Sequence, residues 1–203
     1  MKINFLKKVD IIIENLLQSL KDSEQMIWTL LSEGTVNKKS TFHCPTLGTT
    51  NNNKTYLRTI IIRKVEKNNR TVVFYTDTRS KKFSDISNNN NVTFHIYDEK
   101  KKLQVQCYGK AITLKNNKDT KLIWNSLSNY SKKNYSSSMV PGKKISHISE
   151  ASKLVKEEAG FLNFGLIKFS INKIEYLQLK KTNNIRVMFS YKGKETIVKL
   201  LAP

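Results

Sequence analysis

Apolar residues at Ile11, Ile12, Ile13, Leu16, Leu17 and Leu20 recur near the helical period. A second such stretch, residues 23–31, carries Met26, Ile27, Trp28, Leu30 and Leu31. Two N-terminal helices are predicted, the second stopped by Gly34. Past Gly34 the period shortens. Strands are predicted over 41–49 and 55–64, joined by a turn at 51–54, and over 71–75 after a turn at 66–70. A short helix fits 81–87, with Ser80 as its N-cap. Strands over 92–97 and 103–114 flank a hairpin at 98–102. Helical segments are predicted near 118–126 and 149–158. Four strands end the chain, over 164–171, 174–179, 185–191 and 196–200, with Lys192-Gly193-Lys194 as the last hairpin. Most strands follow one another through short turns. This predicts a mainly β fold: an antiparallel, closed or nearly closed barrel with a few peripheral helices.

The 203 residues suffice for one domain, 1–203, and no Pro/Gly/Ser linker divides them. No apolar run approaches the roughly 18 residues of a membrane span. The start, Met1-Lys2-Ile3-Asn4-Phe5, has no signal-peptide core. Two cysteines, Cys44 and Cys107, without CxxC spacing, suit a reducing compartment, so a cytoplasmic location is expected. With His43, His95 and His147 scattered among strands and a loop, no metal site is expected. Cys107, opposite in phase to Gln104 and Gln106, reads as a small core residue.

The net charge of +20 suggests a nucleic-acid partner at first sight. Of the 36 basic residues, however, all but five are lysine, and they are spread along the chain. That is the pattern of a solvated basic surface, which argues against nucleic acid while still drawing in phosphorylated small molecules. Against this lysine background the five arginines, Arg58, Arg63, Arg70, Arg79 and Arg186, become candidate planar, forked donors. Arg70, in the turn Asn68-Asn69-Arg70, reads as solvated.

Thr76, Thr78, Ser80, Lys81 and Lys82 crowd one turn. If a helix begins after Ser80, its free N–H groups, the hydroxyls and the lysines converge on an anion; the bland alternative is a capped helix with solvated lysines. Arg58 opens a strand whose middle, Ile60–Ile62, is apolar on both faces, and a charge beside such a strand needs a partner. Alternation puts Arg58 and Arg63 on opposite faces. A ligand meeting both would lie along the strand edge or over its end, which suits a long ligand with a phosphate at one end and a planar ring at the other.

These segments resemble the pyridoxamine 5'-phosphate oxidase-like family of FMN-binding split barrels. The likeness rests on the arginine-led apolar strand Arg58–Arg63, on Tyr75-Thr76 followed by Ser80-Lys81-Lys82, and on Gln104 ahead of Gly109-Lys110-Ala111. It spans roughly residues 20–203. The resemblance implies an FMN cofactor, with its phosphate held by Arg58, Lys82 and Lys81, assisted by Thr76 and Ser80. It implies that backbone groups of Thr59, Ile60 and Ile61 run along the ring, that Gln104 hydrogen-bonds it, and that Arg63 stands near its reactive nitrogen. It also implies a homodimer with flavin at the subunit interface, where Arg186 approaches the ring of the other subunit. No catalytic side chain is assigned.

The departures concern the substrate. An Arg-x-His that reads vitamin B6 in true oxidases falls here on Thr182 and Asn184. A tryptophan against the flavin is replaced near Tyr176-Leu177, and a substrate-phosphate set is only echoed around Tyr130-Ser131-Lys132. The expected function is an FMN-dependent oxidoreductase acting on a small molecule. The alternatives are a true pyridoxamine or pyridoxine 5'-phosphate oxidase, or a non-catalytic binder of flavin, haem or nucleic acid.

Overall fold

The structure, a computed structural model, describes residues 2–203, with side chains from Gln18 onward except Ser152. One helix, α1 (Lys2–Gly34), replaces the two expected. Between the two apolar stretches stand Lys21 and Asp22, with no glycine or proline to break the helix. The side chains of Ile11–Leu17 lie outside the described residues. Those of Leu20, Ile27, Trp28, Leu30 and Leu31 are buried. Gly34 ends the helix, and a side chain there would meet the backbone carbonyl of Phe42.

Nine antiparallel strands follow: β1 (Thr46–Asn51), β2 (Lys54–Thr59), β3 (Ile62–Glu66), β4 (Thr71–Asp77), β5 (Asn91–Asp98), β6 (Leu103–Lys115), β7 (Phe164–Gln178), β8 (Ile185–Lys192) and β9 (Glu195–Leu201). Four further helices are peripheral: α2 (Lys81–Asn88), α3 (Lys118–Ser126), α4 (Asn129–Lys133) and α5 (Glu157–Asn163). The strand order is β2-β1-β5-β6-β7-β4-β3, with β8 and β9 continuing from β7. The two outer strands of that path, β2 and β3, are consecutive in sequence, so Ile60–Ile61 joins its edges and closes it. The expected strand over 55–64 is therefore two strands. At its break, Ile60 N–H donates to Pro45 C=O at 3.0 Å. The first half of β7 pairs with β4 and its second half with β8, so the sheet forks there.

Curvature is visible in the core. Flat strands three places apart would stand about 14 Å from one another. Yet Phe74 on β4 meets Phe94 on β5 with ring centroids 5.8 Å apart, and Phe94 meets Phe169 on β7 at 4.5 Å. The inner face thus rolls into one core.

Other local expectations shift for identifiable reasons. The segment read as a strand over 41–49 begins with a 3-10 turn at Thr41–His43, started by the Ser40 hydroxyl accepting from Phe42 N–H. The two strands read over 164–171 and 174–179 are the single β7, with a bulge opposite Tyr108/Gly109. Gly109 is needed there, because a Cβ would lie 1.9 Å from the Ser170 carbonyl oxygen. The helix read over 149–158 is a 3-10 turn, Ile148–Ser152, followed by the separate α5. Arg70 is not simply solvated. Its guanidinium lies 4.1 Å from the Tyr191 ring centre and donates to Gly193 C=O at 2.8 Å, tying the β3–β4 turn to the β8–β9 hairpin. No helix among the described residues is long and apolar enough to cross a membrane.

Candidate functional site

Two sets of polar residues lie on opposite faces of the sheet. The first gathers where α2 covers the inner face. Pairing sets Arg58 beside Leu47, which is itself paired with Phe94, and Leu47 and Phe94 are fully buried. Arg58 therefore points inward, toward α2. Its Nη1 donates to Thr49 Oγ1 at 2.6 Å and Tyr56 C=O at 2.9 Å, and its Nη2 to Asp85 Oδ2 at 3.2 Å. Asp85, on α2, is 0% exposed. It also accepts from Thr49 Oγ1, Asn51 Nδ2 and Lys81 Nζ, at 3.0, 3.0 and 3.2 Å. Burial alone would raise this carboxyl. The bonds from Asn51, Lys81 and Thr49 outweigh it and hold the group below the usual carboxylate range.

The entry to α2 completes this set. Thr76 and Ser80, both 4% exposed, bring their hydroxyls 3.1 Å apart. Ser80 occupies the N-cap position, but its hydroxyl turns back to Asp77 C=O at 2.6 Å and does not cap. The N–H groups of Lys81 and Lys82 consequently have no acceptor among the described residues. Lys82 Nζ donates to Thr76 Oγ1 at 3.1 Å and has no described carboxylate within 4 Å. Burial, reinforced by the charge of Arg58, pushes its pKa below the usual lysine range. Lys81 is engaged elsewhere, on Asp85 and over the Tyr56 ring at 4.1 Å. Arg79 turns away to grip Asp77 through two bonds, of 3.0 and 2.6 Å, and the Ser137 carbonyl at 3.0 Å.

Tyr75 and Arg63 are not part of this cluster. Alternation along β4 sends the Tyr75 side chain to the face opposite Thr76. There it packs edge-on against Phe164 at 5.4 Å, with the Arg63 guanidinium 5.6 Å from its ring centre. Between Thr59 and Ile62 the chain leaves the sheet. Ile61 is 38% exposed and makes no hydrogen bond to the rest of the described chain, which leaves its backbone N–H and C=O open.

The second set lies on the outer face. One row across the strands runs Tyr97, Gln104, Leu177, Arg186. The Gln104 amide has no hydrogen-bond partner among the described residues. Arg186 Nη2 donates to Glu175 Oε2 at 2.9 Å, and Lys173 Nζ to Glu175 Oε1 at 3.0 Å. Asp85 and Glu175, with Thr49 and Asn51, are residues that sequence reasoning missed. For Asp85 the only signal was an aspartate four residues after Lys81 in a short helix.

An inward cluster of cations, buried hydroxyls and open helix N–H groups thus lies on an antiparallel sheet with peripheral helices, and donors of that kind form a candidate anion site. Residues 23–115, which include every member of that cluster, match the family model described as pyridoxamine 5'-phosphate oxidase, FMN-binding domain. The match spans a little under half of the chain. Arg186 lies beyond the matched stretch. A pyridoxamine 5'-phosphate oxidase-related, FMN-binding protein from Nostoc punctiforme has a similar fold, with TM-score 0.72 and 18% identity over 88% of this chain and 96% of that one. PhzG from Burkholderia lata, solved with tetrahydrophenazine-1-carboxylic acid, superposes with TM-score 0.66 and 14% identity over 92% of each chain. No curated protein matches the sequence.

Proposed function

We propose that the protein is a cytoplasmic, homodimeric FMN-dependent oxidoreductase acting on a small molecule. One observation carries this reading: Lys82, a half-buried ammonium with no described carboxylate partner, stands beside two buried hydroxyls and two open helix N–H groups. The two helix N–H groups and the remaining hydrogens of the ammonium are donors without a described acceptor, and an FMN phosphate is an acceptor-rich dianion. Arg58 and Lys81 add charge, while Thr59, Ile60 and the open backbone of Ile61 offer an edge for the ring. Bound flavin supplies two-electron or hydride chemistry. Arg63 and Arg186 contribute positive charge that favours the electron-rich form of the ring.

The dimer is supported by the division of the site. Gln104 and Arg186 face outward, whereas Arg58 and Lys82 face inward, so one chain does not bring both sets to one ring. A second copy can present its outer row to the pocket of the first. The unpaired cysteines, Cys44 exposed and Cys107 buried, suit a reducing compartment. Thr182 and Asn184 offer neither the cation nor the imidazole expected of a vitamin B6 site, which favours another substrate.

Titration with FMN, followed by flavin fluorescence, with sedimentation at the same concentrations, tests this proposal. We expect one FMN per chain and a dimer. A monomer that takes up no FMN overturns it, and tight binding with no reduction by any donor reduces it to a flavin carrier. The pH profile is also specified. Affinity should rise as the phosphate loses its second proton near pH ~6. It should fall again as Lys82 deprotonates, at a pH below the ~10.4 of ordinary lysine, because only the ammonium form attracts the phosphate. Affinity that stays flat through that upper limb contradicts a role for Lys82.

A further inference from the structure

We infer that Asp85 is a positioning residue, which with Thr49 clamps one end of the Arg58 guanidinium and leaves its other edge free to bind a phosphate through two parallel hydrogen bonds. This rests on the phosphate-pocket reading above and deepens it. Arginine has five N–H donors. Three are used within the chain: both on Nη1, by Thr49 and Tyr56, and one on Nη2, by Asp85. Thr49 Oγ1 and Asp85 Oδ2 are themselves hydrogen-bonded at 3.0 Å, so they sit side by side across the Nη1/Nη2 end. The Nε–H and the second Nη2–H remain, and these form the side fork of the guanidinium, whose geometry matches two phosphate oxygens.

Charge points the same way. Arg58, Lys81, Lys82 and Asp85 together carry about two positive charges, the complement of a phosphate monoester dianion. A carboxylate beside an anion site would be costly if it only repelled the ligand. Here all its described contacts are donors: Arg58, Lys81, Thr49 and Asn51. Without it, a partly buried guanidinium would keep only neutral acceptors and could swing toward water.

Asp85→Asn tests the inference by binding of FMN, riboflavin and inorganic phosphate to the variant and the parent protein. The amide keeps the size of the side chain but not the charge that fixes Arg58. Expected are at least tenfold weaker FMN binding, unchanged riboflavin binding, and loss of the stabilisation that inorganic phosphate gives the parent in thermal unfolding. Equal weakening of FMN and riboflavin would show a merely structural role, and unchanged or tighter FMN binding would show that the carboxylate only repels. Either result overturns the inference. Should the variant not fold, Thr49→Val removes the other half of the clamp at the same shape, with about threefold weaker FMN expected and unchanged affinity counting against us. A parent protein that binds neither flavin contradicts the FMN reading instead, and the inorganic-phosphate comparison still decides the role of Asp85.

Discussion

Lys82→Ala should bind FMN at least 100-fold more weakly than the parent protein while binding riboflavin equally well. A hydrogen bond to a charged group contributes about 1.5–3 kcal/mol, and a hundredfold loss corresponds to about 2.7 kcal/mol. The ammonium's one described hydrogen bond is to Thr76, so little holds it in place except the ligand it awaits. Thermal stability without flavin should not fall, because the change removes a desolvated charge without a described carboxylate partner. Calorimetric titration of both flavins checks the first statement and thermal unfolding the second. Equal loss of both flavins would place Lys82 outside the phosphate pocket.

Phe94→Ala should destabilise the fold by about 3–5 kcal/mol, the usual cost of deleting a buried phenylalanine. Phe94 is fully buried and touches Phe74 and Phe169. It joins strands that a flat sheet would hold apart, so the cavity would open where the barrel closes. Urea unfolding gives the value. A change below about 1 kcal/mol would contradict the curled core.

Much of the fold is legible in local signals. The turn at 51–54 is formed by Asn52 and Asn53, both in the left-handed region, as a two-residue hairpin requires. Helix α3 has the expected bounds, and an Asn117–Thr120 capping box starts it. What sequence reading lost was decided at long range. The break at Ile60–Ile61 exists because β2 pairs with β1 while β3 pairs with β4. The union of the last long strand depends on a bulge accommodated by its partner. Arg70 gained a ring and a carbonyl from a hairpin more than 120 residues away.

The candidate site was legible in the same uneven way. Arg58, Thr76, Ser80, Lys81 and Lys82 were found from composition and turn chemistry, and they do converge. Tyr75 was carried along by its motif, although alternation with Thr76 already sends its side chain to the other face. Asp85 and Glu175 went unread because an acidic residue in a short helix or on a strand ordinarily faces water. Only the fold shows that each holds an arginine.

The most direct test of the account is the absorption spectrum of the purified protein, with the mass of whatever it releases on denaturation. A yellow protein with flavin absorbance that releases FMN is expected. A colourless protein that takes up no added FMN, or a released molecule without a phosphate, would contradict it.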